Sequence, residues 1–508
     1  MTTYPAQPEQ QALAAFWPDG RPMNFVDGCW ADTRERASVV NPSTGREYTD
    51  VPSTNAEEVR EAIEVAARAQ VGWRRLTLAQ RVDALVALGP VLEQWGERLA
   101  LLESIDSGNP LFATRRDVSL ALRYLAHWPA QALGRFGTAS VPHPDGLSIT
   151  TRIPYGVVGK IIAYNHPSLF ALAGMIFPLL AGNTMVIKAA DQTPVATLAL
   201  GAILADALPA GVVNIVSGGP ETGDALVISP DVKRIAFTGS DATALRIQSR
   251  LSQSGLVKHL STELGGKNSI LIFEDADLES AIDAAVAGSS LTISQGQSCQ
   301  ATARVLVHRS IEAQVVDGIA QRLQGLTVGP SYDETSQMGP LVSRAQLDRV
   351  TGHIAGAVAQ GARLVSGGGA PDDVPSEGHY LAPTLFTDVT SSMDISRDEV
   401  FGPVMIVQPF DDELEAIAMA NETRLGLSAG VWSRSIDRAL RVAMNLEAGY
   451  VWVNDANRHY PGSPFGGVKA SGTGREESLD ELDSYSEVRA VNIKVPGLLD
   501  PTSPDVRA

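Results

Sequence analysis

Hydrophobic positions along the chain change their period more than once. From Asn55 onward, Val59, Ala62, Ile63, Ala66 and Ala67 recur at helical intervals, followed by Val82, Leu85 and Val86. This spacing predicts amphipathic helices. A further helical run covers 117–133 and is interrupted by Pro129. Within 147–154 the period shortens, with Leu147, Ile149, Thr151 and Ile153 on one side. That alternation predicts a strand, read as part of a hairpin that leaves the main body. From Val157 the pattern becomes short apolar runs at 157–163, 184–188, 212–216 and 234–237. Each suits a parallel strand buried on both faces. Helical stretches separate them, ending near Leu180 and covering 193–208 and 224–228, and a fifth strand is placed at 256–260. Strands and helices alternating at this length predict a doubly wound α/β domain. A second α/β region begins near Ile270, with a helix over 277–290 and a strand over 304–307. Near the start, 1–16 reads as a loose arm, and 23–46 as a strand pair about the turn Asn41-Pro42-Ser43-Thr44-Gly45. The Pro-rich tail from Pro496 reads as frayed.

Length adds that 508 residues exceed one ordinary core, so two or more domains are expected. Two cysteines in so long a chain make no disulfide framework and point to a reducing cytoplasm. The first 17 residues lack a basic start followed by an apolar run, so no signal peptide is expected. The most apolar stretch, 169–180, is too short to span a bilayer and contains Gly174 and Pro178. A net charge of −18 argues against a nucleic-acid partner. No metal is called for.

Candidate chemistry gathers at strand ends. Asn165 lies in Ala163-Tyr164-Asn165-His166-Pro167, between a strand and a helix, where its amide could donate to a developing oxyanion or simply form a turn. Lys188 and Asp191 follow the next strand and could hold a ribose or phosphate. Gly239 and Ser240 join a strand to a helix start, which suits a pyrophosphate. Glu263 precedes Leu264-Gly265-Gly266-Lys267, where a carboxylate could face a cleft as a base. Glu399 and Phe401 share a turn with Gly402 and Pro403. Cys299 ends the run Gln295-Gly296-Gln297-Ser298-Cys299, where Gly296 would let the backbone approach a ligand closely.

In this order and spacing, Asn165, Lys188, the turn at 237–240, Glu263, Cys299 and Glu399 strongly resemble the aldehyde dehydrogenase superfamily. So do the closing runs Pro464-Phe465-Gly466-Gly467, Ser471-Gly472 and Gly474-Arg475-Glu476. The resemblance covers about 24–494, and its most specific pair, Glu-Leu-Gly-Gly-Lys and Gly-Gln-x-Cys, sets Glu263 and Cys299 36 residues apart. It implies a Rossmann-type dinucleotide-binding domain (1–138 and 157–265), an α/β catalytic domain (266–470) and a β-hairpin oligomerisation element (139–156 and 484–508). It also implies a homodimer or homotetramer acting on a small-molecule aldehyde; no membrane partner is expected. Cys299 would be the nucleophile, Asn165 an oxyanion donor, and Glu263 the base that activates water on a thioester. Lys188 and Asp191 would hold the adenosine ribose, Gly239 and Ser240 the pyrophosphate, and Glu399 and Phe401 the nicotinamide ribose and ring. NAD is favoured and NADP possible, because Asp191 stands where NAD-preferring members usually carry Glu. Ala244 replaces a usual Gly. Gly174 stands where many relatives place a lysine proposed to relay protons, so no lysine relay is expected here, and Glu476 remains. The substrate tunnel would be walled by His166, Phe170, Ala173, Ser298, Gln300, Arg458, His459, Tyr460 and Phe465. Arg458 with two histidines fits a polar or anionic substrate group, or a solvated tunnel mouth. A CoA-acylating relative and a silent dinucleotide-binding member are the competing readings. Glu263 argues against the first, and intact Cys299, Glu263 and Asn165 against the second.

Overall fold

A computed structural model describes residues 8–500 and 502. Its largest sheet has eight strands, in the order Cys29–Ala31, Asn24–Val26, Val213–Val216, Thr184–Lys188, Val157–Ile161, Val232–Thr238, His259–Glu263 and Gly472–Thr473. The five strands from Val213–Val216 to His259–Glu263 are parallel. Chain order reverses between Val157–Ile161 and Val232–Thr238, and ligands bind beyond the carboxyl ends of strands at such a point. Alternation explains how the sheet is covered on both faces. Met185 and Ile187 join one core with the helices Leu88–Ser107, Leu111–Ala132, Pro167–Leu180 and Pro194–Ala205. Val186 faces the other way, among residues of the helices Ala56–Trp73, Pro220–Ile228 and Asp241–Gln253.

The second sheet has seven strands, in the order Arg363–Ser366, Thr384–Thr387, Val404–Phe410, Arg304–His308, Ser269–Ile272, Ser428–Trp432 and Tyr450–Val453. All its pairings are parallel except the first. A third, antiparallel sheet of Ser486–Lys494, Gly146–Pro154 and Ala139–His143 carries the expected hairpin.

Several expectations need correction. Residues 1–7 lie outside the described residues, but the rest of the expected loose arm contains a helix, Pro8–Ala14. Ala12, Leu13, Phe16 and Trp17 are buried, and Phe16 stacks on Trp95 at 5.0 Å. In place of one strand pair over 23–46, two hairpins cover 24–52: Asn24–Val26 with Cys29–Ala31, and Arg36–Asn41 with Arg46–Pro52. Pro129 does not end its helix, which continues to Ala132 with the proline inside it. The fifth strand begins at His259, three residues later than expected. The tail is anchored through residue 499, since Val495 and Leu499 donate backbone bonds to Asp145 and Pro144.

Candidate active site

The carboxyl ends of four parallel strands open onto a cleft of about 670 Å³. Asn165, Lys188, Asp191, Gly239, Ser240, Glu263, Cys299, Glu399 and Phe401 all line it. The structure therefore brings together every expected residue of the chemistry and of the cofactor contacts. Each is placed by local geometry. Lys188 ends its strand buried, with Nζ bonded to the Ala189 carbonyl at 3.0 Å and paired to Asp191. Gly239 donates its N–H to the Glu263 carbonyl, and a Cβ there would overlap the Phe237 ring. Ser240 caps the helix Asp241–Gln253, its Oγ accepting from the Thr243 N–H at 3.3 Å. Across the cleft, Glu399 accepts from the Gly266 N–H at 3.1 Å. A Cβ on Gly265 would strike the Glu399 carboxylate. Burial raises Glu399 to about 7, against the pull of that N–H.

Glu263 ends the strand His259–Glu263, and both its carboxylate oxygens are buried without a hydrogen-bond partner. Burial first, then the nearby Glu476 charge, raises its pKa well above the ordinary carboxylate range. A desolvated carboxylate of this kind is a stronger base than one in water. Burial also pushes the Cys299 thiol up, and Glu399, Glu263 and Glu476 add to the shift. Cys299 packs against Leu427, Tyr450, Trp452 and Phe465.

Gly296 does not serve the close ligand approach expected of it. Its φ is +72°, and a Cβ there would collide with the Gly402 carbonyl, so the close neighbour is the chain's own backbone. The flanking glutamines are structural. Gln295 donates to the Gly108 carbonyl at 3.1 Å and Gln297 donates to Gln295 at 3.0 Å.

Tunnel residues fall into two groups. His166 Nδ1 meets Asp117 at 2.6 Å and its ring lies 5.7 Å from Phe170. Burial opposes charge on this imidazole, but Asp117 and Glu103 prevail and its pKa is raised. In the second group, His459 Nδ1 meets Glu477 at 2.7 Å, Nε2 bonds Gln300, and the ring lies 4.9 Å from Phe465. Ser298 is buried beside Cys299, its carbonyl accepting from the Ala301 N–H at 3.0 Å. Arg458 does not join them: its side chain is 67% exposed and its nearest carboxylate, Asp455, lies 3.8 Å away. Tyr460 is exposed as well and bonds Asp455 at 2.6 Å.

Sequence reasoning missed the supports. Asn268 donates to the Cys299 carbonyl at 2.7 Å while its own oxygen accepts from the Ser428 N–H at 2.9 Å. Its signal was its place directly after Glu-Leu-Gly-Gly-Lys. Asn109 fixes the Asn165 carbonyl at 2.7 Å. Gln346 and Arg349, one turn apart on the helix Arg344–Ala359, hold the carbonyls of Phe401 and Val400, each at 2.7 Å. No sequence signal separated those from other polar positions on a helix.

The Aldehyde dehydrogenase family model matches residues 30–491. The chain belongs to the aldehyde dehydrogenase family. It is 39% identical to aldehyde dehydrogenase tropH of Talaromyces stipitatus over 483 residues, covering 93% of both chains. To betaine aldehyde dehydrogenase 1 of Rhizobium meliloti it is 38% identical, covering 92% of this chain and 96% of the relative. Among solved structures it resembles the NAD+ complex of the Bacillus cereus aldehyde dehydrogenase. That match has a TM-score of 0.91 and 36% identity, over 95% of this chain and 98% of the other. This aldehyde dehydrogenase has the family's fold and is an NAD(P)-dependent oxidoreductase that converts an aldehyde to the acid. Among the described residues no helix is long and apolar enough to cross a membrane.

Proposed function

We propose that the enzyme works hydrolytically, with Cys299 as nucleophile, Asn165 as oxyanion donor and Glu263 as the base for water. The observation that carries this reading is the buried Glu263 carboxylate, unpartnered and on the wall of the cleft that Cys299 also lines. A structural carboxylate would be hydrogen-bonded or paired at that depth. The Cys299 thiolate adds to the aldehyde carbon, and the oxyanion is held by the Asn165 amide and the Cys299 N–H. Bound NAD supplies the acceptor for the hydride that leaves this adduct. Cys299 then carries a thioester. Glu263 takes a proton from water as the new C–O bond forms, and the C–S bond breaks with its electron pair returning to sulfur.

The cleft fits a dinucleotide. Lys188 and Asp191 suit the adenosine ribose, the helix start at Ser240 suits the pyrophosphate, and Glu399 and Phe401 suit the nicotinamide half. Asp191 favours NAD, because its carboxylate repels a 2′-phosphate. The aromatic wall beside Cys299, edged by Gln300 and His459, suits an aldehyde with an apolar body and one hydrogen-bonding group. The exposed third sheet supports a homodimer or homotetramer, and two free thiols suit a reducing cytoplasm.

Cys299→Ala tests the reading. Aldehyde turnover should fall by several orders of magnitude while NAD binding, followed by fluorescence titration, stays within about twofold. Turnover near wild type would mean another nucleophile.

A further inference from the structure

Lys160 breaks the pattern of its strand. Val157–Ile161 is buried throughout, and the Lys160 side chain is buried with it. A lysine in such a place needs a counter-charge. Its arm runs beneath the helix Pro167–Leu180 at Gly174, where a Cβ would overlap its Cε and Nζ. The absence of a side chain at position 174 is therefore what admits the Lys160 ammonium. No lysine stands at position 174 itself, but one arrives there from the strand instead of the helix.

The surroundings of this ammonium are acidic. Glu476 lies 3.6 Å from Nζ and is 32% exposed. The other charged or titratable neighbours are Tyr485, Glu481 and Arg234. Glu263 interacts with the same group, facing Glu476, Arg475, Glu481 and Lys160. Burial works against charge on Lys160, yet the acidic neighbours, Glu476 first, hold its pKa above the ordinary value. A positive charge paired with Glu476 thus sits in the same acidic group as Glu481 and Glu263, where Arg475 and then Lys160 favour ionisation of the carboxylate assigned as base.

We propose that Lys160 is a positioning residue for deacylation, whose fixed ammonium keeps Glu263 able to ionise and lets its proton leave through Glu476. This rests on the hydrolytic reading given above. Each thioester hydrolysis places one water proton on Glu263, and that proton must go before the next turnover. Glu263 is buried, whereas Glu476 reaches solvent. The ammonium offsets the cost of two carboxylates sharing one buried site.

The test uses the full-length enzyme with Lys160→Met and Lys160→Arg. Lys160→Gln serves as the neutral variant if the Met form does not fold. Three readouts are taken: the rapid-mix NADH burst, the intact mass of the acylated protein, and the steady rate against pH. The neutral variant should keep a burst near one NADH per site and accumulate the acyl adduct. Its steady rate should fall at least fivefold. Its rising pH limb should move upward by at least half a unit, because removing a positive charge makes Glu263 harder to ionise. Lys160→Arg should recover most of the rate and return the limb. A smaller fall, an unmoved limb, equal loss of burst and steady rate, or no recovery with Arg would overturn the proposal. Glu263→Gln is run in parallel. If it leaves the steady rate unchanged, the hydrolytic reading itself fails; if it slows that rate and the neutral Lys160 variant does not, only the role of Lys160 fails.

Discussion

Cys299 sits among three carboxylates that oppose its ionisation, so its reactivity depends on what else enters the cleft. Buried ionisable groups elsewhere in the chain act on stability instead. Asp106 is fully buried, accepting from Tyr48 Oη at 2.9 Å and from the Ala196 N–H at 3.0 Å. Burial raises it from 3.8 to about 7. The folded state therefore holds this proton at pH values where the unfolded chain has released it. Its contribution is fully present below about pH 3.8 and is lost as pH rises towards 7. Asp106→Asn should flatten the decline of stability over that window, by at most about 1.4 kcal/mol per pH unit. Denaturant melts at stepped pH check it, and an unchanged slope would contradict it. Single residues differed in how far the sequence exposed them. Cys299 and Glu263 stood out through their motifs and the 36-residue spacing between them, each being ambiguous taken alone. Lys160 did not, because what a strand lysine faces depends on how the fold places Gly174 of the next helix and Glu476 from the far end of the chain. The pairs of His166 with Asp117 and His459 with Glu477 were hidden for the same reason.

Elements hold these groups where the chemistry needs them. The loop before Cys299 turns through Gly296 at φ +72°, against the Gly402 carbonyl. Gly296→Ala should cost about 1–3 kcal/mol from backbone strain, with more from the collision. A lowered melting temperature and reduced turnover are expected; wild-type values for both would show that the loop can relax. At the end of the strand Thr184–Lys188, Asp191 pairs with the buried Lys188. Asp191→Ser should free that ammonium for a 2′-phosphate and raise kcat/KM for NADP relative to NAD at least tenfold, less so at high salt. An unchanged ratio would place the discrimination elsewhere. The parallel strands were legible because each is a short apolar run buried on both faces. The helix Pro8–Ala14 was not, because its apolar positions fill barely two turns and gain their burial from Trp95 and its neighbours.

Across the whole molecule, two sheets with separate cores meet at the cleft, and a third stands apart. The strand Ala139–His143 is exposed at every residue, and Val141, Val488 and Ile493 present apolar surface. Three strands with open edges and no covering layer are stabilised poorly by themselves and invite pairing. Light scattering should give a mass two or four times the 53.8 kDa of one chain, and a single-chain mass would contradict that expectation. The hairpin was readable from the alternation over 147–154. Its third strand was not readable by pattern, because Ser486–Lys494 pairs with it from the far end of the sequence.

The central claim is that Glu263, buried and unpartnered, activates the water that releases the acid. Glu263→Gln keeps the shape and removes the basicity, and general-base assistance is worth about 10²–10⁴-fold. Rapid mixing of the variant with NAD and an aldehyde should give a burst of NADH approaching the active-site concentration, then a steady rate lower by roughly that factor. If burst and steady rate fall together, Glu263 acts earlier, on the thiol; if neither changes, it takes no part in the chemistry, and either result contradicts the account.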